Sequence, residues 1–407
     1  MTVFSAEWVL PIVQPPIRQG YVSIAGGQVV AVGQGVSDGV NLGRVALLPA
    51  LVNAHTHLEL SYLRQQVPPG ASFVDWVRAL LARRMTGPGP TEESVLAAAA
   101  RALDQAVASG TGVYGDVSNS LATVPLLSRA ADAAVVFHEL LGFRSAQAEP
   151  LIAAGRDQRA HAGAAHVRVS VAPHAPYSVS PALFQAIGRE LDATPGSVTT
   201  LHLAESPEEV ELLKQGTGPW RPLLEELGAW EPEWTPPGMS PVQYAAALGY
   251  LDRPTLVVHG VQCTPADIGA LASSAATLVT CPRSNRYLGV GDPPLQACYD
   301  AGVRIAIGTD SLASAPTLSM FDEMAAVRSV APAVPARRIL ESATRIGAEA
   351  LGCGDRHGHI AIGAAPGLIA VRVPDGVRDV EEYLVSGIPP DRVSWAWRPR
   401  GAEPQTS

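Results

Sequence analysis

The middle of this 407-residue chain alternates short apolar runs with amphipathic stretches rich in Ala and Leu. We count eight apolar runs, over residues 45–57, 111–117, 132–142, 166–178, 198–206, 255–263, 277–285 and 304–311. Helical patterns lie between them, at 91–109, 121–131, 181–192, 264–274 and 317–329. Ser180-Pro181 and Thr264-Pro265 each place an N-cap residue before a proline, which is typical of a helix start. Eight strands alternating with helices predict an α/β fold of the (β/α)8 barrel type.

The two ends of the chain have a different pattern. Residues 21–35 alternate Val and Ile with small residues around Gly26-Gly27, as in a β-hairpin, and residues 357–376 are similar. We therefore expect both termini to build one small β domain. A doubly wound open sheet is the alternative for the middle region, but no strand there precedes a G-x-G-x-x-G or P-loop motif.

Composition narrows the class of protein. Hydrophobic residues make up 47% and charged residues 16%, which indicates a globular chain. The net charge of −9 argues against nucleic acid or an anionic membrane as a partner. No run approaches the roughly 18 apolar residues that span a bilayer. The four cysteines form no C-x-x-C pair, and the N-terminus lacks a signal-peptide pattern, so we predict a cytoplasmic protein.

Polar side chains lie at the C-terminal ends of several apolar runs, which is where barrel enzymes have their catalytic residues. In a strand, residues i and i+2 point to the same side, so His55 and His57 project together. A single strand-end histidine is more often structural, and an H-x-H pair can occur by chance. Here, however, four of the eight runs end in such residues: His55, His57, His202, Glu205, His259 and Asp310. We interpret them as one site.

Three imidazoles and a carboxylate suit a divalent ion such as Zn²⁺. An open coordination position lowers the pKa of a bound water from 15.7 towards ~7. Hydroxide beside a carboxylic acid and a further base can attack an electrophilic carbon. The residues therefore predict hydrolysis of a C–N, C–Cl or ester-like bond.

Six segments resemble the amidohydrolase superfamily, in the branch of cytosine, guanine and adenosine-type deaminases and triazine chlorohydrolases: PALVNAHTHLELS, VAPHAPYSVSP, LHLAES, VHGVQCT, CPRSNRYLG and GTDSLAS. The resemblance covers nearly the whole chain. It implies a TIM-like barrel over residues 49–356. It also implies a small β-sandwich domain built from both termini, residues 1–48 and 357–407.

The resemblance implies a role for each strand-end residue. The metal ligands would be His55, His57, His202 and Asp310. Glu205 would shuttle a proton to the substrate ring, and His259 would orient the attacking water. Asp310 would also accept a proton from that water. His174, in the fourth run, matches a position that contacts substrate.

Lysine usage indicates how many metal ions to expect. Binuclear members of the superfamily bridge two metals with a carboxylated lysine at the end of the fourth strand. The only lysine here is Lys214, in a helix-like segment after the fifth strand. We therefore predict one divalent ion, Zn²⁺, with Fe²⁺ as the alternative.

The segments HTHLELS, SFVDWV (72–77), GDVSNS (115–120) and CPRSN (281–285) are most similar to aminodeoxyfutalosine deaminases. Those enzymes hydrolyse the 6-amino group of an adenine-containing nucleoside derivative, so we expect a nucleoside-like substrate. The candidate substrate contacts are then Glu59, Ser61, Trp76 and Arg144. Of these, Arg144 could meet a carboxylate.

Other functions stay open at this stage: a chlorohydrolase, a deaminase of a non-purine ring, or a catalytically silent barrel that serves as a binding subunit. Retention of all six strand-end residues argues against the last. The Trp- and Pro-rich segment 215–245 follows the fifth strand. It either shapes the pocket, or packs as a structural flap or as a contact between subunits of a homo-oligomer.

Overall fold

The structure is a computed structural model that describes residues 1–35, 38–164 and 166–399. Its strands in chain order are β1 (Thr2–Val9), β2 (Ile17–Ala25), β3 (Gln28–Gln34), β4 (Val40–Asn41), β5 (Val45–Pro49), β6 (Leu51–Thr56), β7 (Thr111–Ser118), β8 (Ala133–Leu140), β9 (Val167–Pro173), β10 (Thr199–Leu203), β11 (Thr255–His259), β12 (Thr277–Thr280), β13 (Ile305–Ile307), β14 (Leu368–Arg372) and β15 (Val393–Trp397).

The helices are α1 (Phe73–Thr86), α2 (Glu93–Ala108), α3 (Val124–Ala130), α4 (Ala148–Ala160), α5 (Pro181–Asp192), α6 (Pro207–Gln215), α7 (Trp220–Glu226), α8 (Pro241–Ala247), α9 (Pro265–Ala272), α10 (Pro282–Leu288), α11 (Leu295–Asp300), α12 (Met320–Val330), α13 (Ala336–Ser342), α14 (Arg345–Ala350) and α15 (Val380–Leu384). Short 3₁₀ helices lie at Leu58–Leu63, Ser145–Gln147 and Pro390–Arg392. Among the residues described, none of these helices is long and apolar enough to cross a membrane.

Eight strands form two parallel four-stranded sheets, in the orders β6-β7-β8-β9 and β10-β11-β12-β13. The alternation of strands and helices predicted from the sequence is confirmed, and the fold is α/β with parallel sheets. Ser180 and Thr264 cap α5 and α9 as expected, each accepting a hydrogen bond from a backbone N–H three residues on. A single cluster of buried apolar side chains draws on strands of both sheets, including Val113, Phe137 and Val258.

The edges of the two parallel sheets meet through backbone hydrogen bonds. The N–H of His202 in β10 donates to the carbonyl of His174, just after β9, at 2.9 Å. At the other pair of edges, the N–H groups of Thr309 and Asp310 donate to the carbonyl of His55 at 3.0 and 3.1 Å. These contacts bring the C-terminal ends of β6, β10 and β13 to a common face.

Both ends of the chain build one seven-stranded mixed sheet, in the order β15-β14-β5-β1-β2-β3, with β4 paired to β1. The predicted hairpin is present because β2 pairs antiparallel with β3 across Gly26 and Gly27, whose φ angles are +58° and +78°. Such positive φ values are what a two-residue hairpin turn requires, and glycine adopts them without strain. The two-layer sandwich stays a prediction.

Several predicted runs extend past the strands that form, and two of them also contain a second element. The run 45–57 contains two strands, of which β5 joins the terminal sheet and β6 begins a parallel sheet. The run 277–285 ends as a strand at Thr280, because Pro282 lacks an N–H for the sheet and instead begins α10. Arg283 and Asn285 therefore lie on a short helix that faces the end of β11.

Candidate active site

A cavity of about 370 Å³ opens at the C-terminal ends of the parallel strands. Six histidine and carboxylate residues singled out in the sequence line it, namely His57, His174, His202, Glu205, His259 and Asp310. His55 lies just beneath, fully buried. Residues far apart in the sequence therefore converge, because each follows or ends a strand whose C-terminal end points to this face.

Four donor atoms lie close together at the base of the cavity. His57 Nε2 is 3.2 Å from His55 Nε2, 3.3 Å from His202 Nε2 and 3.6 Å from Asp310 Oδ1. Ligand atoms at zinc bonding distance in a tetrahedral site are separated by about 3.3–3.6 Å. Burial lowers the pKa of all three imidazoles, so each presents a lone pair rather than a charge. Three imidazole nitrogens and one carboxylate oxygen at these separations match the donor set of one divalent ion.

Asp310 is held by hydroxyl groups on the side away from the histidines. Its Oδ2 accepts hydrogen bonds from Ser284 Oγ at 2.5 Å and from Ser314 Oγ at 2.9 Å. Burial alone would raise the pKa of Asp310, but the facing histidines and Ser284 outweigh it and lower the pKa to about 2. Asp310 is therefore ionised, and its other oxygen, Oδ1, faces His55 and His57.

His259 and Glu205 face each other beside the donor cluster. His259 Nε2 is 3.4 Å from Glu205 Oε1, and His259 Nδ1 is 2.8 Å from Asn285 Oδ1. Because an amide oxygen only accepts, Nδ1 carries the hydrogen and Nε2 is an acceptor. Burial, followed by the carboxylates of Asp310 and Glu209, raises the pKa of Glu205 well above its usual value, which favours the protonated form of this carboxyl group.

Strained backbone marks the strand ends that supply these groups. Ala204, His259 and Asp310 have φ angles of +53°, +76° and +58°, in the left-handed region that residues with a side chain rarely adopt. The carboxylate of Glu209 accepts from the N–H groups of Ala204 and Glu205 at 3.1 and 2.9 Å. Such strain persists only where surrounding contacts enforce it, and it clusters at functional sites.

An aromatic wall covers the other side of the cavity. Tyr177 and Trp220 stack with ring centroids 3.8 Å apart, and Phe73 and Trp76 of α1 lie beside them. Trp220 begins α7, so the Trp- and Pro-rich segment shapes the pocket, as one of the two interpretations expected. Trp230 and Trp234 from the same segment pack on Phe143, which also lines the cavity.

The predicted substrate contacts divide into two groups. His174 and Trp76 line the cavity, whereas Glu59, Ser61 and Arg144 are not among its lining residues. The carboxylate of Glu59 is already occupied, since it accepts from the hydroxyls of Ser118 and Ser120 at 2.6 and 2.9 Å. Arg144 lies at the start of the 3₁₀ helix Ser145–Gln147.

Sequence reasoning missed a polar row on the cavity wall, formed by Arg84 of α1, Asn119 after β7 and Glu139 in β8. Glu139 stands next to the last residue of its strand, so the strand-end rule applied to the third run would have found it. Lys214 lies in the last turn of α6, and β9 contains no lysine, as predicted.

The fold and the site define a hydrolase class. Residues 46–388 match the amidohydrolase family, and the chain belongs to that family. The aminodeoxyfutalosine deaminase of Deinococcus radiodurans is 33% identical over 321 residues, covering 75% of this chain and 73% of the relative.

Two solved structures are similar along nearly the whole chain. The aminofutalosine deaminase of Helicobacter pylori, in complex with methylthio-coformycin, has a TM-score of 0.83 at 25% identity and covers 95% of each chain. An adenosine deaminase of Xanthomonas campestris with bound zinc has a TM-score of 0.82 at 25% identity, covering 98% of this chain and 91% of the other. The resemblance noted in the sequence is thus confirmed.

Proposed function

We propose that this chain is a metal-dependent hydrolase that removes the exocyclic amino group of an adenine-type nucleoside, of the aminodeoxyfutalosine kind, as ammonia. The observation that carries the proposal is the convergence of four metal-type donor atoms with Glu205 and His259 at one cavity. The two relatives named as futalosine-type deaminases and the adenosine deaminase support the nucleoside substrate.

One divalent ion would be held by His55, His57, His202 and Asp310, with Zn²⁺ favoured by the donor set and Fe²⁺ as the alternative. Zinc in the similar adenosine deaminase supports this assignment. When bound, such an ion acidifies water and so supplies a nucleophile near neutral pH.

The chain's own residues supply the proton transfers. Glu205, kept protonated by burial, would donate its proton to the ring nitrogen as the water oxygen attacks the carbon that bears the amino group. His259 Nε2 would accept a hydrogen bond from that water and orient it. Asp310 would take one water proton and return it to the departing amine. Glu205, left as a carboxylate after the first transfer, would take the remaining hydroxyl proton as the carbonyl forms and ammonia leaves.

We also propose that the two parallel sheets form one closed (β/α)8 barrel over residues 49–356. The hydrogen bonds at both pairs of sheet edges, the bridge between Thr56 and Asp310, and the apolar cluster shared by both sheets support closure. Residues 1–48 and 357–407 would form the small domain, of which 400–407 lie outside the described residues. Homo-oligomerisation and a cytoplasmic location stay predictions.

The test is ammonia release by zinc-loaded protein from adenosine, methylthioadenosine, aminodeoxyfutalosine, guanine and cytosine. We expect release from the adenine nucleosides and none from cytosine. Metal-stripped protein is the matched control, and readdition of zinc should restore activity. Chloride release from a chlorotriazine without ammonia release from any nucleoside would favour the chlorohydrolase alternative and contradict the proposal.

A further inference from the structure

Glu205 faces the cavity because the chain turns at the residue before it. Side chains alternate along a strand, so a residue three positions after His202 would point to the opposite face of the sheet if the strand continued. The strand β10 ends at Leu203, and Ala204 adopts a φ angle of +53°. After this turn, His202 and Glu205 line the same cavity. The left-handed conformation of Ala204 thus brings the Glu205 carboxyl group beside His259, at 3.4 Å from its Nε2.

The carboxylate of Glu209 holds this turn in place. Its Oε1 accepts from the N–H of Ala204 at 3.1 Å, and its Oε2 accepts from the N–H of Glu205 at 2.9 Å. The carbonyl of Ala204 accepts from the N–H of Gln262, just after β11, at 2.8 Å. Glu209 is fully buried and is not among the residues that line the cavity. Any effect of Glu209 on a bound substrate would therefore pass through the backbone of Glu205.

Helix capping explains only part of this arrangement. Ser206 is the N-cap residue of α6 and accepts from the N–H of Glu209 at 3.3 Å. In a Ser-x-x-Glu capping box, the glutamate reaches back to the N–H of the N-cap residue. Here it reaches past Ser206, to the N–H groups of the two residues before it. Two converging N–H groups need two acceptor oxygens, which a carboxylate has and an amide lacks.

We propose that Glu209 is a positioning residue, which fixes the backbone of Ala204 and Glu205 so that the Glu205 carboxyl group faces the substrate. The proposal rests on the proposed function, in which Glu205 transfers a proton, and adds the residue that sets the geometry of this transfer. Displacement of a reacting group by about 1 Å can slow a reaction by about 100-fold. Glu209 should therefore affect kcat much more than KM.

The first experiment measures kcat and KM for adenosine, and the zinc content, of Glu209→Gln. The amide keeps one acceptor and turns its NH₂ group towards the second N–H, so the turn should relax. We expect zinc content and KM within about twofold of the wild type, and kcat lower by about 10- to 100-fold. An unchanged kcat in folded, zinc-loaded Glu209→Gln, or a loss of kcat that only follows a loss of zinc, would overturn the proposal.

Asp267→Asn is the matched control. Asp267 is also a buried carboxylate in the first turn of a helix that follows a barrel-type strand, but it does not line the cavity. This variant should lose stability and keep kcat within about twofold of the wild type. If Glu209→Gln does not fold, Glu209→Asp keeps both acceptor oxygens on a shorter side chain. Its kcat should fall by about three- to tenfold at full zinc content, and a wild-type kcat would overturn the proposal.

A role exerted through Glu205 also predicts that the two sites are not additive. Added to Glu205→Gln, the Glu209→Gln change should lower kcat by less than about threefold, because the proton donor is already lost. A further loss of about 10- to 100-fold would show that Glu209 acts elsewhere, on the fold or on the donor cluster, and would overturn the proposal.

Crystal structures of the zinc-loaded wild type and Glu209→Gln test the positioning without turnover. The Glu205 carboxyl group should move by about 1 Å or more, while the three histidines of the donor cluster keep their places. If this displacement is found but the wild type deaminates no nucleoside, the positioning of Glu205 is supported and only the proposed function is contradicted. An unmoved Glu205 would overturn the positioning role alone.

Discussion

Replacing Ser284 with alanine should weaken zinc binding by about 10- to 100-fold, because the Ser284 hydroxyl holds the oxygen of Asp310 that faces away from the histidines. The contact is short, at 2.5 Å, and fully buried. A hydrogen bond to a charged group contributes about 1.5–3 kcal/mol, and about 1.4 kcal/mol corresponds to a tenfold change in affinity. Loss of a partner behind a metal ligand typically weakens metal binding by a similar factor.

Ser314→Ala should have a smaller effect, since its hydroxyl lies farther from Asp310 Oδ2, at 2.9 Å. The double variant should lose less zinc-binding free energy than the sum of the two single losses. The reason is that the two hydroxyls are 2.8 Å apart and both donate to Asp310 Oδ2. Competition with a chromogenic chelator measures the zinc dissociation constant of each variant.

Ser319→Ala is the matched control. Ser319 is a buried serine that caps α12 by accepting from the N–H of Asp322, so its loss should cost about 1 kcal/mol of folding stability and leave zinc affinity unchanged. A folded Ser284→Ala protein that binds zinc as tightly as the wild type would refute the assigned role of this hydroxyl.

His202→Ala should lose zinc and ammonia release together, as metal analysis and the deamination assay would report; retained zinc would remove His202 from the ligand set. Glu205→Gln should keep a full complement of zinc and lose turnover by about 10²- to 10⁴-fold, whereas near-normal turnover would show that Glu205 is not the proton donor. Burial raises the pKa of Glu323 from 4.5 to about 8, so Glu323 binds a proton in the folded state that the unfolded chain releases, and its contribution to stability falls as pH rises between those values. In denaturant unfolding, the free energy of unfolding of Glu323→Gln minus that of the wild type should therefore be larger at about pH 8.5 than at about pH 5.5. An equal difference at both pH values would contradict the buried-acid interpretation.

Much of the donor cluster could be predicted from the sequence because parallel strands obey a simple rule. Their C-terminal ends gather on one face, so His55, His202 and Asp310 could be grouped without knowledge of distance. The same rule would have found Glu139. It could not find Ser284 and Ser314, because serines that follow a strand are common and nothing in the local pattern says that two of them donate to one carboxylate.

The substrate contacts were harder to predict because exposure to a cavity is a tertiary property. Glu59 follows H-x-H and resembles a site residue, yet its carboxylate is used by the hydroxyls of Ser118 and Ser120. Trp220 was one of three tryptophans in an irregular segment. Its place against Tyr177 depends on how α7 packs over the cavity, which local periodicity does not encode.

The sequence by itself determined the alternation of strands and helices and the residue type that ends each strand, because hydrophobic period and capping act over a few neighbouring residues. Only the tertiary structure decided which atoms meet. His57 and His202 are 145 residues apart in the chain, and the 3.3 Å between their Nε2 atoms depends on how two sheets join at their edges. The setting of Glu139 is likewise a result of packing, since Asn119 after the neighbouring strand donates to one carboxylate oxygen and His202 Nδ1 lies 3.5 Å from the other.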